Sequence, residues 1–170
     1  MLARIYGLPK VHKLGYPLRP AVSSINSPIT YFLSKQFNIA LKNSIAKPAS
    51  YIKNSYNFID KIKHIEIPED HILISLDVTS LYTNVGEKLV IESTKKRYSE
   101  ISSKFKIPLN ELVKGVKLII NNNYFSFKSK FYHQIYGLPM GGPCSTIFSD
   151  IVMDDLEMNC LRKLDFVQLV

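Results

Sequence analysis

The sequence predicts an α+β domain. Three observations carry that reading: short extended segments mix with segments of helical apolar spacing without strict strand–helix alternation, no stretch repeats, and no linker divides the 170 residues. A chain of this length buries one domain core, or part of a larger one.

From Met1 to about Pro28 the chain is dense in Pro, Gly and basic residues, which break helices and mark extended segments joined by turns. Two short strands and a turn are expected there. Ser27 then reads as an N-cap and Pro28 as a first-turn proline, opening a helix with Ile29, Phe32, Leu33, Phe37, Ala40 and Leu41 on its buried face. Pro48 ends or follows it, and Ser55 to about Lys63 reads as a second helix with Phe58, Ile59 and Ile62 inward. After Pro68, the apolar segment His71 to Leu76 reads as a buried strand closed by Asp77. Glu87 to Tyr98 is expected to be helical, as is Pro108 to about Asn121 with Leu109, Leu112, Val113, Val116, Ile119 and Ile120 as its stripe. Tyr124 to Phe127 and Phe131 to Ile135 flank Lys128-Ser129-Lys130, a hairpin signature. From Thr146 helical spacing returns through Ile147, Ile151, Leu156 and Leu161.

Twenty-two Lys and Arg against 14 Asp and Glu give a net charge of +8, a bias that suits a polyanionic partner. Cys144 and Cys160 stand apart without a CxxC pair or a secretory leader, so a reducing, intracellular setting is expected. His12, His64, His71 and His133 lack the paired spacing of a zinc site. No apolar run reaches the roughly 18 residues of a membrane span, so a soluble protein with no membrane partner is expected.

A carboxylate at the end of a buried strand is costly unless a helix N-terminus, a basic partner or a metal ion satisfies it, which makes Asp77 a functional candidate. Capping the following turn is its plain structural alternative. Tyr82, five positions on, reads by itself as core packing, Lys10 as a solvated charge, and Gly137-Leu138-Pro139-Met140-Gly141-Gly142 as a simple loop. Together they supply what a phosphoryl-transfer site needs: cations for a triphosphate, a carboxylate, and a turn that lets a nucleotide approach closely.

That combination resembles a reverse transcriptase. More narrowly, Gly7-Leu8-Pro9-Lys10-Val11-His12-Lys13, Leu18-Arg19-Pro20-Ala21-Val22-Ser23-Ser24, Leu76-Asp77-Val78-Thr79-Ser80-Leu81-Tyr82-Thr83-Asn84-Val85 and Gly137-Leu138-Pro139-Met140-Gly141-Gly142-Pro143 look like the Penelope-like retroelement reverse transcriptases, relatives of telomerase. The resemblance runs over nearly the whole chain. It implies a right-hand polymerase fold truncated before the paired-aspartate hairpin. Residues 1–70 would be mainly fingers, 71–85 the first palm strand and turn, 86–135 helices and a hairpin inserted in fingers and palm, and 136–170 the glycine-rich turn and the palm helix after it.

The resemblance also implies roles. Asp77 would bind two catalytic Mg²⁺ ions, with the backbone carbonyl of Val78 on one of them. Tyr82 would be the steric gate against a 2′-hydroxyl, and Arg19 would grip the triphosphate bidentately with Lys13 and Lys10 in support. Met140 and Gly141 would line the nucleotide; Gly142, Pro143 and Ser145 would contact template and primer. The implied partners are an RNA template, a DNA primer and deoxynucleoside triphosphates, in an intracellular and nuclear setting for the parent retroelement protein. The rest of the palm, the thumb and a GIY-YIG endonuclease would complete that parent.

Val152-Met153-Asp154-Asp155 imitates the paired-aspartate signature, but helical spacing of Leu and Met continues beyond it, and it follows the glycine-rich turn too closely. The true pair is therefore expected beyond Val170. Two-metal catalysis needs carboxylates from both elements, so the chain alone is expected to be inactive. A non-catalytic nucleic-acid-binding remnant of a degenerate element, and an unrelated basic α+β domain, are the competing readings.

Overall fold

A computed structural model describes residues 3–23, 30–48, 50–72 and 74–161, with the Leu161 side chain excepted. Apolar residues three and four apart along α6 (Leu109–Asn121) put Leu112, Val116, Ile119 and Ile120 on one buried face. This helix packs on α1 (Tyr31–Ser44) and α4 (Glu87–Lys96), and α7 (Ser145–Leu161) packs on the same two. The short α5 (Tyr98–Lys104) closes the layer against α1 and α4, burying Ile101. Phe148 of α7, Leu41 of α1 and Val90 of α4 complete a core without solvent access.

In α1 the buried side is Ser34, Phe37, Leu41 and Ser44. Phe32, expected inward, is 72% exposed, because five residues before Phe37 is well over a right angle around the helix from it. The expected cap at Ser27, Pro28 and Ile29 lies outside the described residues. The helix α2 (Ser55–Ile62) is capped by Asn54, whose side chain accepts the N–H of Asn57 at 2.9 Å. Phe58 and Ile59 were expected inward but are exposed, since no described element lies closely over α2.

A four-stranded sheet has the order β2-β1-β3-β4. The strands β1 (Ala3–Pro9) and β2 (Leu18–Ser23) form an antiparallel hairpin. The strand β3 (Tyr124–Phe127) joins β1 in parallel and turns back into β4 (Lys130–His133). Here the loop is only Lys128-Ser129, both at positive φ (46° and 61°), the left-handed geometry that two-residue hairpins select.

Residues 71, 72 and 74–78 differ from expectation: they form no strand, and Ile72, Ile74, Leu76 and Val78 are exposed; Leu73 of the expected strand lies outside the described residues. A strand exists only by pairing, and no described strand lies beside this segment. A single turn, α3 (Leu81–Asn84), follows it.

The helix expected from Glu87 to Tyr98 breaks at Arg97, whose backbone leaves the helical region (φ −95°, ψ 11°). Its guanidinium, 10% exposed, reaches α7, where it donates to Asp154 and, at 2.7 Å, to Asp155. Asp155 also accepts from Ser93 at 2.7 Å and Lys96 at 2.9 Å. Burial pushes the Asp155 carboxyl up, but the hydrogen bonds from Ser93, Lys96 and Arg97 outweigh it and hold the group below the usual carboxylate value.

Two outcomes follow from these contacts. A lowered folded-state value means stability that is complete above the unfolded carboxylate value, near pH ~3.9, and is lost as the pH falls through the folded one. Arg97→Met should therefore cost about 3 kcal/mol in urea unfolding at neutral pH and should flatten the acid limb of the stability curve. In the hairpin, Ser129→Gly should raise stability by about 1 kcal/mol, read as a higher midpoint in the same unfolding, because glycine takes positive φ without a Cβ clash.

Candidate functional site

The glycine-rich turn is held from two sides by backbone groups remote in sequence. From β2, the N–H of Val22 donates to the Met140 carbonyl at 2.8 Å; from the turn, the N–H of Leu138 donates to the Tyr82 carbonyl of α3 at 2.7 Å. Three of the segments singled out in the sequence therefore meet. Glycine is required at both contacts. At Gly141 (φ +108°) a Cβ would stand 2.4 Å from the Val22 oxygen, and at Gly137 (φ +77°) it would stand 2.8 Å from the Thr83 backbone.

The turn then runs into α7. Gly142 N–H donates to the Pro139 carbonyl and Ser145 N–H to the Gly142 carbonyl, both at 3.1 Å. The Ser145 hydroxyl donates to the Pro139 carbonyl at 2.6 Å and is buried. Ser145 thus shapes the turn from inside, with its hydroxyl proton donated within the chain. Cys144 ties the turn to α1, its N–H donating to the Ser34 hydroxyl at 3.2 Å and its thiol to the Ser34 carbonyl at 2.8 Å. Burial pushes that thiol up to about 11, so it remains protonated and serves packing rather than chemistry.

Met140, Gly142 and Pro143 are half-buried and Gly141 is exposed, so the outer side of the turn is open. Tyr82 is half-buried against the core beside it. Its turn is locally fastened: the Thr83 hydroxyl donates to the Ser80 carbonyl at 2.9 Å, and Asn84 donates to the Thr79 and Ser80 carbonyls at 3.2 Å. Lys10, Lys13 and Arg19 lie on the β1–β2 hairpin. Arg19 sits opposite Leu8 and three residues before Val22, and the connecting loop is closed by Lys10 N–H on the Pro17 carbonyl at 3.0 Å.

Asp77 is an exposed carboxylate in an irregular segment rather than the end of a buried strand, and Val78 beside it is 41% exposed. Its expected cost of burial does not arise here. Among the described residues no group of three or more His, Cys, Asp or Glu is disposed to hold a metal ion. Asp77 therefore does not assemble a two-Mg²⁺ donor set with the described residues. Asp154 and Asp155 are no substitute, being on α7 and bonded to Arg97. A cavity of about 210 Å³, between the C-terminal end of α1 and α7, shares no residue with the motif cluster.

The sequence reading missed Val22 and Thr83 as the turn's anchoring surfaces; the only signal was the presence of each inside a quoted motif. Gly141→Ala should destabilise the fold by about 3 kcal/mol, from left-handed strain plus a backbone clash. Loss of Val22 amide protection in hydrogen exchange would locate the damage at that contact.

The chain is 32% identical over 81 residues to a telomerase reverse transcriptase from Oxytricha trifallax. The matched stretch is 48% of this chain and 6% of that protein. No protein-family profile matches the chain. No solved structure matches it. Among the described residues no helix is long and apolar enough to cross a membrane. Over the matched stretch, the chain is similar to a reverse transcriptase.

Proposed function

We propose that the chain forms the fingers and first part of the palm of an RNA-directed DNA polymerase of the Penelope-like retroelement class. The observation that carries this reading is the meeting of three segments that resemble polymerase motifs, two of them bonded to the glycine-rich turn through Val22 to Met140 and Leu138 to Tyr82. The local likeness to a telomerase reverse transcriptase supports the reverse-transcriptase part of this reading.

In this reading the primer 3′-hydroxyl attacks the α-phosphorus of a deoxynucleoside triphosphate, a P–O bond forms in line with the one that breaks, and pyrophosphate leaves. The chain's own residues bind and orient. Arg19 and Lys13, with Lys10 behind them, neutralise the triphosphate, and a guanidinium pairs two phosphate oxygens at once. Tyr82 packs under the sugar and rejects a 2′-hydroxyl. Met140 and Gly141 lie along the nucleotide, with Gly142 and Pro143 toward the template. Asp77 supplies one carboxylate.

The solitary Asp77, together with the pairing of Asp154 and Asp155 to Arg97, favours a second reading, a non-catalytic nucleic-acid-binding remnant. Photocrosslinking of deoxynucleoside triphosphate in Mg²⁺ buffer separates the two. The polymerase reading expects saturable labelling, weakened about tenfold by Arg19→Ala, with preference over ribonucleotides reduced by Tyr82→Ala. RNA binding without any nucleotide labelling supports the remnant. Primer extension by the 170-residue chain that disappears in Asp77→Asn would overturn the expectation that it is inactive alone.

A further inference from the structure

We infer that the exposed face of the four-stranded sheet is a stacking platform for single-stranded RNA. The register fixes which side chains share that face, because residues directly opposite across strands point the same way. Arg4 pairs with Ser23, Tyr6 with Ala21 and Leu8 with Arg19; Arg4 also pairs with Ser126, Ser126 with Phe131, and Tyr124 with His133. One face therefore carries Tyr6, Tyr124, Phe131 and His133 together with Arg4 and Arg19.

These rings are available to a ligand. Phe131 is 72% exposed and Tyr6 is 50% exposed. Tyr124 and His133 are already stacked, with centroids 4.4 Å apart and planes 18° from parallel. The His133 Nε2 lies 2.7 Å from the Asn121 carbonyl, which accepts its N–H and fixes the ring's orientation. Tyr124 and His133 face each other across β3 and β4, and Phe131 stands two positions from His133, about 7 Å along β4. Tyr6 lies on β1, two strands from Phe131 and so roughly 10 Å across the sheet, a spread with room for two or three bases.

Charge selects the occupant. Residues 3–23 and 124–136 hold Arg4, Lys10, Lys13, Arg19, Lys128 and Lys130 but none of the chain's 14 Asp and Glu. A surface of flat rings on segments that carry basic and no acidic residues suits a polyanion with exposed bases, which is a single strand; a duplex hides its base faces. The choice of RNA over DNA rests on the templated-polymerase reading. Neither Tyr6 nor the β3–β4 aromatics have a role in nucleotide binding there.

Fluorescence anisotropy of the full chain with a labelled 12-nucleotide oligouridylate tests the platform. Phe131→Ala and Tyr6→Ala should each weaken binding about tenfold, Phe131→Trp should retain it, and Phe32→Ala, on an exposed position of α1, should leave it unchanged. Unchanged affinity in both alanine variants, or equal loss in Phe32→Ala, overturns the inference. Binding of duplex RNA as tight as single-stranded RNA also overturns it, and equal binding of oligothymidylate overturns the choice of RNA. The two readings fail separately: ring-dependent RNA binding without nucleotide labelling sinks only the polymerase, whereas nucleotide labelling with ring-independent RNA binding sinks only the platform.

Discussion

The approach of the 137–142 turn to backbone on both sides is the constraint on which the arrangement depends. At Gly141 the Val22 carbonyl, and at Gly137 the Thr83 backbone, lie where a Cβ would otherwise sit. Because backbone cannot move aside as a flexible side chain does, the turn has one seat between β2 and α3. That seat fixes the start of α7, and with it Cys144 on Ser34 and Phe148 in the core. A local demand for two glycines thus becomes the register of a helix against three others.

Charge is organised as deliberately as packing. The sheet segments contain no acidic residue, while the helical layer places Asp154 and Asp155 around the buried Arg97. An uncompensated guanidinium at that depth would be costly, and a pair of carboxylates answers it with additional donors from Ser93 and Lys96. The two adjacent aspartates that most imitate a catalytic pair are consumed by the fold, and basic residues without acidic neighbours are left on the sheet segments.

What was legible in the sequence was what short-range physics dictates. The stripe of α6 was readable because its apolar residues recur on one helical face, and the β3–β4 hairpin because two β-rich runs flank a turn. The glycine-rich turn stood out because positive φ and close approach leave few other residue choices. Non-local facts were not readable. Whether 71–76 becomes a strand depends on a partner, whether Phe58 is buried depends on what covers α2, and the break at Arg97 depends on carboxylates 57 and 58 residues away. For the same reason Tyr82 and Gly141 could be nominated together, but Val22 and Thr83 could not be identified as their anchors.

The two halves of the site differ in how far they are built. The 79–84 turn satisfies itself through Thr83 and Asn84, and the glycine-rich turn is bonded to it, so the surface around Tyr82 and Gly141 is preorganised by contacts inside the chain. Asp77, only five residues from Tyr82, has no such support, because its position would come from strand pairing and the alternating Ile72, Ile74, Leu76 and Val78 face water instead. Apolar residues at every second position fit a half-buried strand and offer little advantage to a solvated coil. The surface proposed to recognise a nucleotide is therefore determined by local bonds, whereas the segment that carries Asp77 has no described strand to fix it.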